Sequence, residues 1–91
     1  DLFGPYNSLT REQLATILYR YAKWSGRSTY APTDALTGFA DADKVSSYAL
    51  DAMRWAVYTG LMQGSENGLE PQSSASRAQV AAIIHRFLDK K

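Results

Sequence analysis

The chain has 91 residues and a mass of 10.1 kDa, enough for one modest hydrophobic core, which argues against two independent domains. Ten Lys and Arg residues face nine Asp and Glu residues, so the formal charge of +1 gives no electrostatic drive toward nucleic acid or an anionic membrane. The absence of cysteine excludes disulfides, thiol nucleophiles and cysteine-based zinc sites, and no apolar run approaches the length of a membrane span.

The first predicted helix spans residues 10–25. Thr10 and Gln13 have the spacing of a capping box, in which the hydroxyl accepts from the third helical amide and the glutamine reaches back to the cap. Apolar residues then recur at the spacing of an amphipathic helix, which predicts a buried stripe of Leu14, Ile17, Leu18 and Tyr21. Trp24, which follows near the end of this helix, is expected to pack against the helix end.

Residues 26–45 lack a strong periodic pattern. A structureless loop of this length is uncommon in a compact domain, so we expect a short helical turn within it. The second predicted helix runs from Ser47 to Thr59, and Gly60 occupies the position that follows the end of many helices. Its apolar stripe, flanked by two aromatic residues, comprises Ala49, Ala52, Met53, Ala56 and Val57, with Tyr48 and Trp55 at the margins.

The third predicted helix, residues 76–90, repeats the first. Residues 3–21 align without gaps on residues 69–87 at an offset of 66, with seven identities in nineteen positions. The second copy again begins with a capping box, Ser76 and Gln79, and continues with an apolar stripe of Val80, Ile83, Ile84 and Phe87. The sequence therefore predicts a mostly α fold in which tandem helix–loop–helix repeats form a small helical bundle.

An ordered series of motifs runs through the second half of the chain: Phe39-x-Asp41, Tyr48-Ala49, Trp55-Ala56-Val57, Gly60-Leu61, Gly64, Leu69-x-Pro71 and Ser76-Arg77-Ala78-Gln79. This series resembles the S-layer homology domain family, whose repeats open with F-x-D. They continue through a W-A-x-x-A-I helix and a G-[IL]-x-x-G turn, and close with a T-R-A-E helix start. Tyr48 stands where the family usually has tryptophan, and Gln13 and Gln79 stand where it has glutamate.

The resemblance divides the chain into three parts. Residues 39–91 correspond to one complete repeat of the family, residues 1–25 to the closing, C-terminal half of a preceding repeat, and residues 26–38 to a connector. Such repeats typically form bundles of three. The resemblance therefore implies that further repeats, or self-association of the chain, complete the bundle.

The resemblance implies a noncatalytic module that anchors an extracellular protein to the bacterial cell wall, at the cell surface. Grooves between repeats would bind a secondary cell-wall polysaccharide, an anionic glycan that often carries pyruvyl groups. The alternative is a protein–protein assembly or oligomerisation module of a surface protein. An enzyme such as a wall hydrolase is the weakest hypothesis, because the sequence has no nucleophile elbow, phosphate loop or paired-carboxylate signature.

Two arginines, Arg11 and Arg77, are the first candidates for contact with the glycan. Each occupies the first helical position, where a positive charge opposes the helix dipole by about 0.3–1 kcal/mol, so that stability alone would favour an acidic residue. A guanidinium beside the amides of a helix start is a good receptor for a carboxylate, such as that of a pyruvyl group. The alternative is an arginine paired with an acidic residue across the repeat interface.

Four further residues are predicted polysaccharide contacts, each with a structural alternative. Asp41 would bond to sugar hydroxyls, or would cap the turn before the middle helix. Trp55 and Tyr48 would stack on sugar rings, or would pack in the core or in an interface. Gly64 would offer its backbone amide, and is expected to have a positive φ or a close approach of its backbone to another group.

No cofactor or metal is expected. The run Asp41-x-Asp43-x-Val45 only faintly resembles a calcium loop, because its fifth position is apolar and the glycine and glutamate of such a loop are missing. His85 is the one histidine, and there is no cysteine or second histidine to complete a zinc site. The basic residues are scattered along the chain, so neither nucleic acid binding nor membrane insertion is expected.

Overall fold

The structure, a computed structural model, describes residues 9–64 and 68–89. Three helices follow one another in chain order: α1 (Arg11–Trp24), α2 (Leu50–Tyr58) and α3 (Arg77–Asp89). Two 3₁₀ turns, Ala42–Lys44 and Ser47–Ala49, precede α2, and no β-strand occurs within the described residues. The predicted mostly α fold is therefore confirmed, and so are the three predicted helices.

Both predicted capping boxes are present. The Gln13 amide donates to Thr10 Oγ1 at 3.2 Å, and the Thr10 amide donates to Gln13 Oε1 at 2.9 Å. In the second copy, the Gln79 amide donates to Ser76 Oγ at 3.1 Å and the Ser76 amide to Gln79 Oε1 at 2.9 Å. Because each box satisfies two amides at the start of its helix, α1 and α3 begin where the sequence predicted.

The segment that leads into α2 contains the short helical turn expected between residues 26 and 45, at Ala42–Lys44. The predicted middle helix starts as a 3₁₀ turn at Ser47–Ala49 and becomes α-helical from Leu50. Beyond its last residue, Tyr58, Gly60 has a φ of +83°. This left-handed conformation suits glycine and confirms the predicted position of Gly60 after the helix.

The core lies between α1 and α2. From α1 it takes Leu14, Ala15, Leu18 and Ala22. The predicted stripe of α1 is partly wrong, because Ile17 is half-buried and Tyr21 is 50% exposed. Ala15 and Ala22 are fully buried. The buried face of α1 is therefore the face that carries these two alanines.

The side chain of Trp55 lies inside this core, although the sequence placed it at the margin of the α2 stripe. It is 3% exposed, and its ring meets the rings of Tyr19 and Phe87 edge-on, with centroids 5.8 and 6.0 Å away. An indole is large enough to reach the core from the edge of a helix face, which explains the difference. By contrast, α3 buries two of its thirteen residues, Ile83 and Phe87.

The division into residues 1–25, 26–38 and 39–91 stays a prediction, and residues 1–8 of its first part lie outside the described residues. Side chains of α1, α2, α3 and the intervening segments belong to one hydrophobic cluster. The described residues of the first part therefore share a core with the last part.

Candidate functional site

Arg11, at the first position of α1, is 9% exposed. Its Nε donates to the carbonyl of Leu69 at 2.9 Å, and its Nη2 to the carbonyl of Gln63 at 3.0 Å. Both acceptors belong to the loop between α2 and α3 (residues 59–76), called the α2–α3 loop from here on. The guanidinium therefore ties the start of α1 to this loop through backbone carbonyls rather than through an acidic partner.

The main chain makes the same connection. The amides of Arg11 and Glu12 donate to the carbonyls of Ser73 and Pro71, at 2.9 and 3.0 Å. In return, the amide of Ala75 donates to the carbonyl of Leu9 at 2.7 Å. The first two amides of α1, which have no acceptor within the helix, are thus satisfied by the α2–α3 loop.

A buried carboxylate that the sequence did not single out lies beside Arg11. Glu12 is 3% exposed, and it accepts from the Ser46 amide and hydroxyl at 2.9 and 2.7 Å. It also accepts from the Tyr48 hydroxyl and the Gln72 side-chain amide, both at 3.3 Å. Burial raises the pKa of Glu12, but these hydrogen bonds together bring it below its ordinary value of 4.5.

One sequence signal could have drawn attention to Glu12. At the corresponding position of the second copy stands Ala78, so the two otherwise similar helix starts differ there in charge. An acidic residue in the first turn of a helix is, however, common because it suits the helix dipole. That ordinary explanation hides the role that the folded chain gives to Glu12, which is to join α1 to residues 46–48 and to the α2–α3 loop.

Tyr48 has an exposed ring and a bonded hydroxyl. The side chain is 56% exposed, and its hydroxyl donates to Glu12. Burial of the hydroxyl and the adjacent Glu12 charge raise the pKa of Tyr48 above its ordinary value of 10.0. The hydroxyl is thereby fixed while one side of the ring stays open to solvent.

Asp41 binds the backbone of the α2–α3 loop. Its Oδ1 and Oδ2 accept from the amides of Leu69 and Glu70, both at 2.9 Å, and these bonds lower the pKa of Asp41 below 3.8. A Cβ on Gly68 would lie 2.5 Å from Oδ1, so only glycine lets the carboxylate approach. The alternative role of capping the next turn is wrong, because Asp41 makes no side-chain cap bond there.

Gly64 packs against the ring of Phe39. A Cβ at this position would collide with that ring, and the φ of Gly64 lies outside the left-handed region. Of the two conformational reasons expected for a glycine here, the structure shows a close neighbour and no positive φ.

The indole of Trp55 faces inward. Its Nε1 donates to the carbonyl of Ser28 at 3.3 Å, and its ring lies between Tyr19 and Phe87. With 3% of its surface exposed, the ring offers no face to a ligand in this arrangement.

Arg77 holds in α3 the position that Arg11 holds in α1, but it is exposed. Within residues 9–64 and 68–89, neither its guanidinium nor the amides of Arg77 and Ala78 have an acceptor. The same groups of α1 are bonded to carbonyls of the α2–α3 loop. Two helix starts of nearly the same sequence therefore differ: the start of α1 is docked and the start of α3 is open.

The structure brings some of the predicted contacts together and leaves others apart. Three of them converge on the α2–α3 loop: Arg11, Asp41 and Gly64. Tyr48 joins this group through Glu12, whereas Trp55 lies in the core and Arg77 is at the open start of α3. In the part of the chain that the structure describes, no group of three or more metal-binding side chains occurs.

An open cleft of about 260 Å³ lies between α2 and residues 33–43. Its lining comprises Thr33, Leu36, Thr37, Ala42, Asp43, Leu50 and Arg54. None of the predicted contacts lines it, so the cleft is separate from the candidate site.

Replacing Arg11 with methionine is expected to lower the free energy of unfolding by about 1–3 kcal/mol, because two carbonyls of the α2–α3 loop lose their donors. The same change at Arg77, which is exposed, is expected to alter it by less than about 0.5 kcal/mol. Urea unfolding followed by circular dichroism measures both variants. Equal losses for the two variants would contradict the distinction between a docked and an open helix start.

Comparison with known proteins finds one family that matches part of the chain. Residues 38–81 match the S-layer homology domain. The chain is 29% identical to an endoglucanase of Bacillus sp. (strain KSM-635) over 97% of its own length and 9% of the relative's. It is 31% identical to an amylopullulanase of Thermoanaerobacterium thermosulfurigenes and to an exoglucanase, XynX, of Acetivibrio thermocellus, in each case over 94% of its length.

The chain spans only a small part of these relatives, 5% of the amylopullulanase and 8% of the exoglucanase. No solved structure matches it. Among the described residues, no helix is both long enough and apolar enough to span a membrane.

Proposed function

We propose that this chain binds an anionic wall polysaccharide as its anchor, because residues 38–81 match the S-layer homology domain, a noncatalytic module that anchors surface proteins at the cell wall. The glycan that suits the chain best carries a carboxylate on a pyruvyl group. Family membership supports the anchoring function, and the open start of α3 supports the choice of site.

The open start of α3 has the parts of an anion receptor. An exposed guanidinium, that of Arg77, stands next to two amides without acceptors in the described residues, on a helix of thirteen residues. A carboxylate there would accept charge-assisted hydrogen bonds from the guanidinium. The positive end of the helix dipole would stabilise its negative charge. The corresponding groups of α1 donate to backbone carbonyl oxygens, which supports the view that such a helix start can hold oxygen acceptors.

In this proposal, some of the other candidate residues contact the glycan and the rest hold the site in shape. Tyr48, with an exposed ring, would stack on a sugar, and Gly64 would offer its amide. Arg11 and Asp41 would act indirectly by holding the α2–α3 loop in shape, since their polar atoms are bonded to its backbone. Trp55 would support the site from within the core.

Replacing Arg77 with alanine is expected to weaken binding of the chain to purified bacterial cell walls about tenfold or more, because a charge-assisted, two-point contact with the glycan is lost. Co-sedimentation over a range of wall concentrations measures the apparent affinity. Arg54→Ala is the matched control, since it removes the same charge from a side chain that bridges to Asp51 on α2. If both variants bind as the wild type does, Arg77 is not the glycan contact.

A protein–protein assembly module is the second candidate, and one observation favours it. The α1 start docks on backbone carbonyls of the α2–α3 loop, so the open α3 start could dock on similar carbonyls of another repeat or chain. Light scattering across a hundredfold range of concentration separates the two candidates. A mass that rises with concentration, falls in Arg77→Ala and is unaffected by wall polysaccharide would favour assembly.

A further inference from the structure

A strip of three aromatic rings leads from the core to the surface at the end of α1. It comprises Phe87, Tyr21 and Trp24 and is called the aromatic strip here. The exposed fraction rises along it from 3% at Phe87 to 50% at Tyr21 and 82% at Trp24. The sequence led us to expect Trp24 to pack against the helix end, and that expectation is wrong, because almost the whole indole faces solvent.

The strip is held in place from its buried end. The ring of Tyr21 meets Phe87 edge-on, with centroids 5.8 Å apart and planes at 65°. Trp24 follows with its centroid 5.8 Å from that of Tyr21 and a tilt of only 35° between the planes. Tyr21 and Trp24 are thus adjacent exposed rings, and the inner one is held by its contact with the buried Phe87, so this end of the strip needs little ordering when a ligand binds.

Cations neighbour the strip along the sequence, and one of them contacts it. Residues 13–33 contain three cations, Arg20, Lys23 and Arg27, and no acidic residue. The guanidinium carbon of Arg27 lies 4.1 Å from the centroid of the Phe87 ring, and its Nη1 donates to the Phe87 carbonyl at 2.8 Å. One cation is therefore fixed at the inner end of the strip. Asp89, at the end of α3, is an acidic residue two positions after Phe87. Its Oδ2 lies 3.2 Å from Nε2 of His85.

We infer that the aromatic strip is a second contact surface for an acidic polysaccharide, one that stacks pyranose rings on Tyr21 and Trp24 and pairs the acid groups with the neighbouring cations. This inference rests on the proposed function. The C–H face of a pyranose ring packs well on the electron-rich face of an aromatic ring, and the positive surroundings complement an anionic chain.

Most of the exposed large apolar side chains in the described residues are flat aromatic rings. Six large apolar side chains are exposed in the described residues, and five are aromatic: Tyr21, Trp24, Tyr30, Tyr48 and Tyr58. Leu88 is the aliphatic exception. Flat rings of this kind stack on the C–H faces of sugars. Aromatic residues and arginine are also enriched at protein interfaces, so a protein interface is one of the outcomes that the experiment distinguishes.

Polysaccharide released from purified Bacillus cell walls is the probe that tests binding at the aromatic strip. Of the two tryptophans, Trp55 is 3% exposed, so acrylamide quenching of fluorescence reports chiefly on Trp24. The polysaccharide is expected to protect Trp24 from acrylamide, and neutral dextran is expected to give no protection. Trp24→Ala and Tyr21→Ala should each weaken binding about tenfold, while Tyr58→Ala, which removes an exposed ring outside the strip, should leave it unchanged.

The outcomes separate this inference from the anchoring function. Wild-type binding to walls without protection of Trp24, and with unchanged binding of both strip variants, would overturn the strip and leave the anchoring function intact. No binding of the wild type would overturn both. Protection of Trp24 that grows with protein concentration in the absence of polysaccharide would show a protein interface and also overturn the inference.

Discussion

Replacing Trp55 with alanine is expected to destabilise the fold by about 3–5 kcal/mol, and to lower the melting temperature by at least about 10 °C. The indole is 3% exposed, packs on Tyr19 and Phe87, and donates to the Ser28 carbonyl. Truncation would leave a cavity that joins α1, α2 and α3 and would remove the donor for that carbonyl. Thermal unfolding followed by circular dichroism measures the loss.

Trp24→Ala is the matched control for this experiment. It removes the same side chain from a position that is 82% exposed, so the melting temperature should change by no more than about 2 °C. Comparable losses in the two variants would contradict the placement of Trp55 in the core and of Trp24 at the surface. A large loss for Trp55→Ala alone would agree with the placement of Trp55 in the core.

Replacing Glu12 with glutamine is expected to lower the free energy of unfolding by about 2–3 kcal/mol at pH 7, although the shape of the side chain hardly changes. The carboxylate accepts hydrogen bonds from Ser46, Tyr48 and Gln72, and an amide group can accept only through one oxygen. Its NH₂ group would face donors instead. Urea unfolding measures the loss, and Asp43→Asn, at an exposed position, is the control with an equal change of charge.

Lowering the pH is expected to reduce the free energy of unfolding, because Glu12 and Asp41 become protonated. The pKa of Glu12 lies below 4.5 and that of Asp41 below 3.8 in the folded chain, so the folded state favours both carboxylates in their ionised form. Their contribution is therefore complete above these ordinary values and is lost as the pH falls through the lowered pKa values. Urea midpoints between pH 3 and 7 should fall at the acidic end, and the fall should be shallower in Glu12→Gln. Identical pH profiles for the two proteins would contradict this.

Local sequence rules were sufficient to predict where the three helices begin and end, to within a few residues. The capping boxes at Thr10 and Ser76 and the glycine at position 60 act through neighbours within a few residues, so their effects can be predicted from spacing alone. The buried face of α1 could not be predicted in the same way. Ile17 and Tyr21 satisfy the helical period as well as Leu18 does, and the small residues Ala15 and Ala22 decide which face packs.

The candidate site shows where sequence reasoning stops. Arg11 and Arg77 have almost the same neighbours in sequence, yet they differ in the folded chain. Among residues 9–64 and 68–89, a loop packs against the helix start at Arg11 and none packs against that at Arg77. Asp41 bonds to amides 28 and 29 residues away, and Glu12 to Ser46 over 34 residues. Contacts of this range depend on how the loops pack, and the helical period carries no information about them.

Sedimentation of the wild-type chain with two preparations of the same purified cell walls tests the account most directly. One preparation keeps its secondary polysaccharide, and the other has been chemically stripped of it so that only peptidoglycan remains. We predict that the chain pellets with the first preparation and stays in the supernatant with the second. Equal pelleting with both, or with neither, would contradict an anchor that works by holding an acidic wall polysaccharide.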